Sequence, residues 1–228
     1  MIRLLLTVLV LLQANMACAE KFTLTYSVAR AGQSIGETRE TFEHHNGHYR
    51  IESVATPKGL AAVFIAGNFR MVSEGEIGET GLRPLHFEYQ PSAKPRKAIL
   101  TTFDWAAKTL TAAFDGRNEP SPLPDAAQDR LSALYQLRFW PKSLDEAQLA
   151  ISNGKNVKEH LYKRSGEETL TTPAGTFHTT RYARERTPDD DGITLWVSDK
   201  LPAPIKIVID EKKGAQNEQV LTGFQREP

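Results

Sequence analysis

Cysteine is almost missing from this chain of 228 residues, the single one being Cys18. A mature chain starting after it has no disulfide, no thiol nucleophile and no thiolate zinc site, so its core alone must hold it folded. A surplus of charge is missing too, with 28 Lys and Arg against 28 Asp and Glu. That balance argues against general affinity for nucleic acid or anionic membranes, which requires a basic excess. There is no phosphate loop, no dinucleotide fingerprint, no low-complexity segment and no interdomain linker. No cofactor and no metal ion is implied.

What is present begins with MIRLLLTVLVLLQANMACAE, which reads as an export signal. Arg3 supplies the positive start, Leu4 to Leu12 are apolar but too short for an ordinary membrane span, and Ala17-Cys18-Ala19 fits a small-x-small cleavage site. The expected division is a signal peptide over 1–19 and one β-rich envelope domain over 20–228, located in the periplasm with no transmembrane span after cleavage. A retained anchor and lipidation at Cys18 are the minor alternatives; for lipidation, Asn15 stands where a Leu is usual.

Beyond Glu20 the pattern is period two. Phe22, Leu24, Tyr26 and Val28 alternate with Thr23, Thr25 and Ser27, giving one apolar and one hydroxyl-rich face. Strand-like runs recur to the end of the chain, separated by turn chemistry such as Asn46-Gly47, Asp115-Gly116, Ser165-Gly166 and Asp191-Gly192. The expected fold is mainly all-β, an antiparallel meander curved into a barrel or half-barrel.

One stretch, SPLPDAAQDRLSALYQLRFW, breaks the alternation. Asp125 with Gln128 forms a capping box, and Leu131, Leu134, Tyr135 and the Arg138 stem fall on one helical face. The expectation is an amphipathic helix from Asp125 to Phe139, serving as lid or plug over the concave sheet. A shorter helix is expected over Leu60 to Ile65.

Four patterns invite chemistry. Gly32-Gln33-Ser34-Ile35-Gly36 matches the G-x-S-x-G of hydrolase elbows, but a strand follows where an elbow requires a helix, so Ser34 reads as an ordinary strand–turn residue. His44, His45 and His48 flank a hairpin turn without enough further ligands for a metal. Asp189, Asp191 and Gly192 imitate part of a calcium loop whose first and last ligand positions are Thr187 and Ser198. Asp129 and Ser132 form a polar pair with no histidine base beside them in sequence, which leaves a structural or a functional role open.

The order of motifs resembles the bacterial exported family known as domain of unknown function 3108, over nearly all of the mature chain. The resemblance rests on Leu24-x-Tyr26 with Gly32 and Gly36, Ser73-x-Gly75, Gly81-Leu82-x-Pro84 and Phe103-Asp104. It continues through Gln128-Asp129-x-x-Ser132, Thr172-Pro173-Ala174-Gly175-x-Phe177, Leu195-Trp196-Val197-Ser198 and Leu201-Pro202. It implies a curved antiparallel sheet in the cell envelope and no assigned catalytic residue. The leading functional expectation is a periplasmic, non-enzymatic binding or scaffold protein that holds a lipid or other apolar ligand, lined by Leu131, Leu134 and Tyr135. The alternatives are an envelope hydrolase using Asp129, Ser132 and a histidine from another strand, or a module that binds an envelope protein.

Overall fold

The computed structural model describes residues 20–227. The expected signal segment and Cys18 therefore lie outside the described residues. Eight strands come first: β1 (Glu20–Arg30), β2 (Gln33–His45), β3 (His48–Pro57), β4 (Phe69–Gly78), β5 (Gly81–Pro91), β6 (Ile99–Asp104), β7 (Thr109–Phe114) and β8 (Arg117–Pro122). After a crossing segment come β9 (Gln128–Asp129), β10 (Glu146–Ser152), β11 (Val157–Thr172), β12 (Gly175–Arg184), β13 (Gly192–Val197), β14 (Lys206–Asp210) and β15 (Gln216–Glu227). All join one sheet in the order β8-β7-β6-β5-β4-β3-β2-β1-β15-β14-β13-β12-β11-β10-β9.

That order dictates the shape. The sheet is 15 strands wide, with β8 and β9 at its opposite edges. Laid flat at about 4.8 Å per strand, those edges would stand about 67 Å apart. Yet the chain passes from Pro122 to Gln128 in six residue steps, which span about 20 Å at most. The sheet must therefore curl until its edges approach, with the crossing segment lying in the concavity. Contacts across the gap agree: Thr101 Oγ1 in β6 donates to Gly154 O at 2.9 Å, and Lys155 Nζ stands 3.8 Å from the centroid of the Phe114 ring in β7. No backbone ladder joins β8 to β9, so the structure is an open, curled sheet and not a closed barrel.

Local chemistry explains the strands. Ala31-Gly32, Asn46-Gly47 and Asp115-Gly116 all have positive φ at both residues, the condition for a tight two-residue hairpin turn. Ser34 lies within β2 opposite Ala29, and β2 continues through the residues where an elbow would need a helix. Gly36 is a close-approach position, since a Cβ there would sit 2.6 Å from Thr56 O on β3. Ser165-Gly166, expected as a turn, is a bulge inside the single long strand β11, where the register against β12 shifts between Arg164 and Gly166. β8 carries Pro120 and Pro122, which the alternation rule would demote; an edge strand tolerates them because its outer N–H groups have no partner.

The helical segment differs most from expectation. Helix α1 spans Ala61–Phe64 at the expected place. Helix α2, however, spans only Ser132–Gln136 and runs into a 3-10 turn over Leu137–Phe139. Asp125 does not cap it: that carboxylate is exposed and lies 3.5 Å from Lys108 Nζ. Ala126 takes a positive φ, and Gln128 and Asp129 pair in parallel with Ile151 and Ser152 of β10, so the chain stays extended up to Asp129. The face expected to be polar is buried as deeply as the apolar one: Asp129 and Ser132 are 0% exposed, and Leu131 and Tyr135 are 1% exposed. The segment is a plug. It divides the core in two, with Leu131 and Tyr135 among side chains drawn mainly from β1 to β7 and joined by Ala150, Phe177 and Leu221, Leu137 among those of β10 to β14, and Leu134 touching both groups.

Candidate functional site

The plug is held by three sets of buried hydrogen bonds. Asp129 Oδ1 accepts the N–H groups of Leu131 and Ser132, both at 2.8 Å, satisfying donors that a helix start leaves free. Its Oδ2 accepts Ser73 Oγ from β4 at 2.5 Å, and Tyr49 from β3 lies 2.9 Å from the same hydroxyl. Ser132 Oγ returns the favour by accepting the Asp129 N–H at 3.0 Å. The Asp–Ser pair is thus a reciprocal cap bolted to the sheet.

Glu40 of β2 anchors the other end. Its oxygens accept Tyr135 Oη at 2.7 Å and Ser53 Oγ at 3.0 Å, while the Tyr135 ring stacks on Phe42 at 5.5 Å. Two glutamines fix the middle. Gln136 Oε1 accepts the Leu82 N–H at 2.7 Å and its Nε2 donates to Thr80 O at 2.9 Å; Gln128 Nε2 donates to Leu82 O at 2.8 Å. Gly81 takes a φ of +105°, which a side chain would strain, and a Cβ there would also displace the Gln136 amide, 2.3 Å away.

Burial raises the pKa of Asp129 and of Glu40 against the opposing pull of these donors. A group with a raised folded pKa favours the fold below its unfolded pKa, and that contribution is lost as pH rises through the folded pKa. Glu40→Gln keeps the shape and removes the charge, and both hydroxyl partners can turn to meet an amide. The variant is expected to melt a few degrees above the parent at pH 8 and to match it near pH 4. Thermal scans at the two pH values check this.

Beside the plug opens a cleft of about 320 Å³. Leu134, Ile151 and Ile193 give it apolar wall; Arg130, His160 and Arg184 give it polar wall. Arg130 donates to Asn153 O at 2.5 Å and stands over the rings of Phe87 and Tyr89, and burial lowers its pKa. Arg184 donates through Nη2 to Asp191 O at 2.7 Å and lies over the Tyr162 ring. Its Nε is buried without a partner. His160 Nδ1 is 3.5 Å from Asp190, but burial, then the nearby Arg184, lower its pKa. A second groove of about 680 Å³ shares His160, Arg184 and Asp190 with the cleft and continues along β11 and β12.

The expected site residues thus separate. Leu131 and Tyr135 lie in the packed core, Leu134 reaches the cleft, and Asp129 and Ser132 are enclosed by the cap they form. His45 and His48 do sit opposite each other across the hairpin, and His45 Nε2 meets the Asn46 side chain at 2.8 Å. Asp190, at the calcium-like loop, faces Arg184 and His160. Glu40, Ser53 and Tyr49 belong to none of the sequence motifs, and Ser73 stands there only as part of Ser73-x-Gly75, with no partner implied. The available signal was Glu40 itself, a charge at the same parity as Thr38 and Phe42 on the inward face of β2.

The family profile described as protein of unknown function (DUF3108) matches residues 21–219. The chain belongs to the DUF3108 family. Asp129, Ser132 and the cleft residues all fall within this DUF3108 span. Among curated proteins, none matches. Among solved structures, a candidate lipoprotein of Parabacteroides distasonis is 16% identical, with 90% of this chain and 94% of that chain covered at a TM-score of 0.41. A candidate exported protein of Bacteroides fragilis with a YmcC-like fold is 15% identical, with 92% and 97% covered at a TM-score of 0.37. A DUF1329 family protein of Desulfovibrio piger is 10% identical, with 92% and 86% covered at a TM-score of 0.27.

Proposed function

We propose that this DUF3108 protein is an exported, non-enzymatic binding protein of the cell envelope, and that the cleft beside the plug holds a small anionic amphiphile. The observation that carries this reading is the Arg184 Nε, a buried donor without an acceptor in a wall it shares with Leu134, Ile151 and Ile193. A buried N–H left unpaired is costly, and an acidic headgroup in the cleft would draw the Arg184 guanidinium round to meet it while its alkyl part covers the three aliphatic side chains. The interior beneath the plug supports no such role, since Leu131 and Tyr135 fill it. A hydrolase reading would need Ser132 Oγ to meet a substrate, and that side chain is 0% exposed and already tied to Asp129.

Native mass spectrometry of the protein purified gently from the periplasm tests the proposal. The expected result is a stoichiometric adduct of amphiphile mass, or its appearance on incubation with envelope lipids. Leu134→Trp, which fills the cleft, and Arg184→Gln, which removes the charge, should each lower occupancy about tenfold, the loss expected from one anchoring contact. An apo mass unchanged by lipids, or occupancy indifferent to both variants, would sink the proposal.

A further inference from the structure

Residues 59–67, Gly-Leu-Ala-Ala-Val-Phe-Ile-Ala-Gly, run for nine positions without a polar side chain. They form the β3–β4 connection, with α1 at its tip. Leu60 is 82% exposed, Val63 76% and Phe64 85%. Aliphatic and aromatic side chains this exposed, contiguous and projecting from a loop have no role in the core of the fold.

The neighbouring connection is basic. Asn68 N donates to Ser92 Oγ at 2.7 Å and Ser92 N to Asn68 O at 2.9 Å, which fastens the 92–98 connection beside the tip. That connection carries Lys94, Arg96 and Lys97, all exposed, and none pairs with a carboxylate among the described residues. No acidic residue occurs between Glu52 and Glu74 or between Glu88 and Asp104. A balanced whole-chain charge therefore conceals a local arrangement of exposed apolar tip and cationic flank.

We infer that the β3–β4 tip is a membrane-contact element that seats the protein on an anionic bilayer surface. Leu60, Val63 and Phe64 enter the acyl boundary, and Lys94, Arg96 and Lys97 meet the phosphates. Charge complementarity selects this occupant: apolar groups flanked by cations match a layer of anionic headgroups over hydrocarbon. Antiparallel alternation also brings the 185–191 loop, which rims the cleft, to the same end of the sheet as the tip. The inference stands without the cleft reading, because it concerns different residues.

Vesicle co-sedimentation of the full-length exported chain tests it. Equimolar phosphatidylglycerol and phosphatidylcholine vesicles should retain the protein about tenfold better than pure phosphatidylcholine, as expected for an apolar insertion supported by a basic patch. Leu60→Ser with Phe64→Ser should lose that binding with an unchanged melting curve, since neither residue is in the core. Lys94→Glu with Lys97→Glu should erase the preference for the anionic vesicles. The inference is overturned if the parent stays in the supernatant, or if the serine variant sediments as the parent does. A tip-dependent dimer in sedimentation velocity, without vesicle binding, would overturn it equally.

Discussion

Replacing Asp129 by alanine is expected to destabilise the protein by about 3–5 kcal/mol, the range for removing one partner from a buried, charge-assisted network. The substitution strands the amides of Leu131 and Ser132 and takes from the Ser73 hydroxyl its carboxylate acceptor, leaving it Tyr49 alone, and all three residues are buried. Asp129→Asn should lose less than half as much. Its carbonyl oxygen can accept both amides, and its NH2 can donate to Ser73, whose proton then turns to Tyr49. Urea titrations of the two variants check this ordering. A catalytic carboxylate would show the reverse pattern, with activity lost and stability kept or gained.

The second large effect is expected at Tyr135. Truncation to alanine removes a ring that is 1% exposed and stacked on Phe42, which alone costs about 3–5 kcal/mol. It also deprives Glu40 of its 2.7 Å donor, leaving a buried carboxylate with Ser53 alone. Tyr135→Ala should therefore approach the stability of the whole domain and give little soluble protein. Tyr135→Phe isolates the hydroxyl and should cost about 1–2 kcal/mol, the scale of one hydrogen bond to a charged acceptor. Expression yield and denaturant midpoints measure both.

These effects explain why the fold was more legible than the site. Strand-and-turn grammar is local: Asn46-Gly47 and Asp115-Gly116 announce tight hairpins because few other residue pairs accept two positive φ values. The sheet therefore followed from alternation, apart from β8, whose prolines conceal an edge strand, and β11, where Ser165-Gly166 bends a strand without ending it. The plug is a tertiary object. Asp129 reads as a residue within a helix beginning at Asp125, until β10 pairs with Gln128 and Asp129 and postpones the helix to Ser132. Helical spacing of the segment's polar residues is equally compatible with a solvated face and with a buried, hydrogen-bonded one. Their partners, Ser73, Glu40 and Leu82, lie some 50 to 95 positions away in sequence. Nothing local signals such pairings, and a helix enclosed on every side carries polar groups only where distant strands supply the complement.

The cleft was invisible for a related reason. Arg130 follows the cap, His160 lies on β11, Arg184 ends β12 and Asp190 sits in the loop after it. Only the curl of the sheet gathers them. Leu134, read as one of three equivalent apolar positions, differs from Leu131 and Tyr135 because it sits where the two halves of the core meet and the packing opens.

The central claim is that the segment around Asp129 is a fixed plug and not a hinged lid, and amide hydrogen exchange tests it most directly. The N–H groups of Leu82, Leu131 and Ser132 bond only to side chains of the plug, so they report on its seating. The account predicts that they exchange as slowly as the central β1–β2 ladder, through global unfolding alone. Exchange of these three amides far ahead of that ladder, under conditions where the sheet stays protected, would mean that the segment opens on its own and would contradict it.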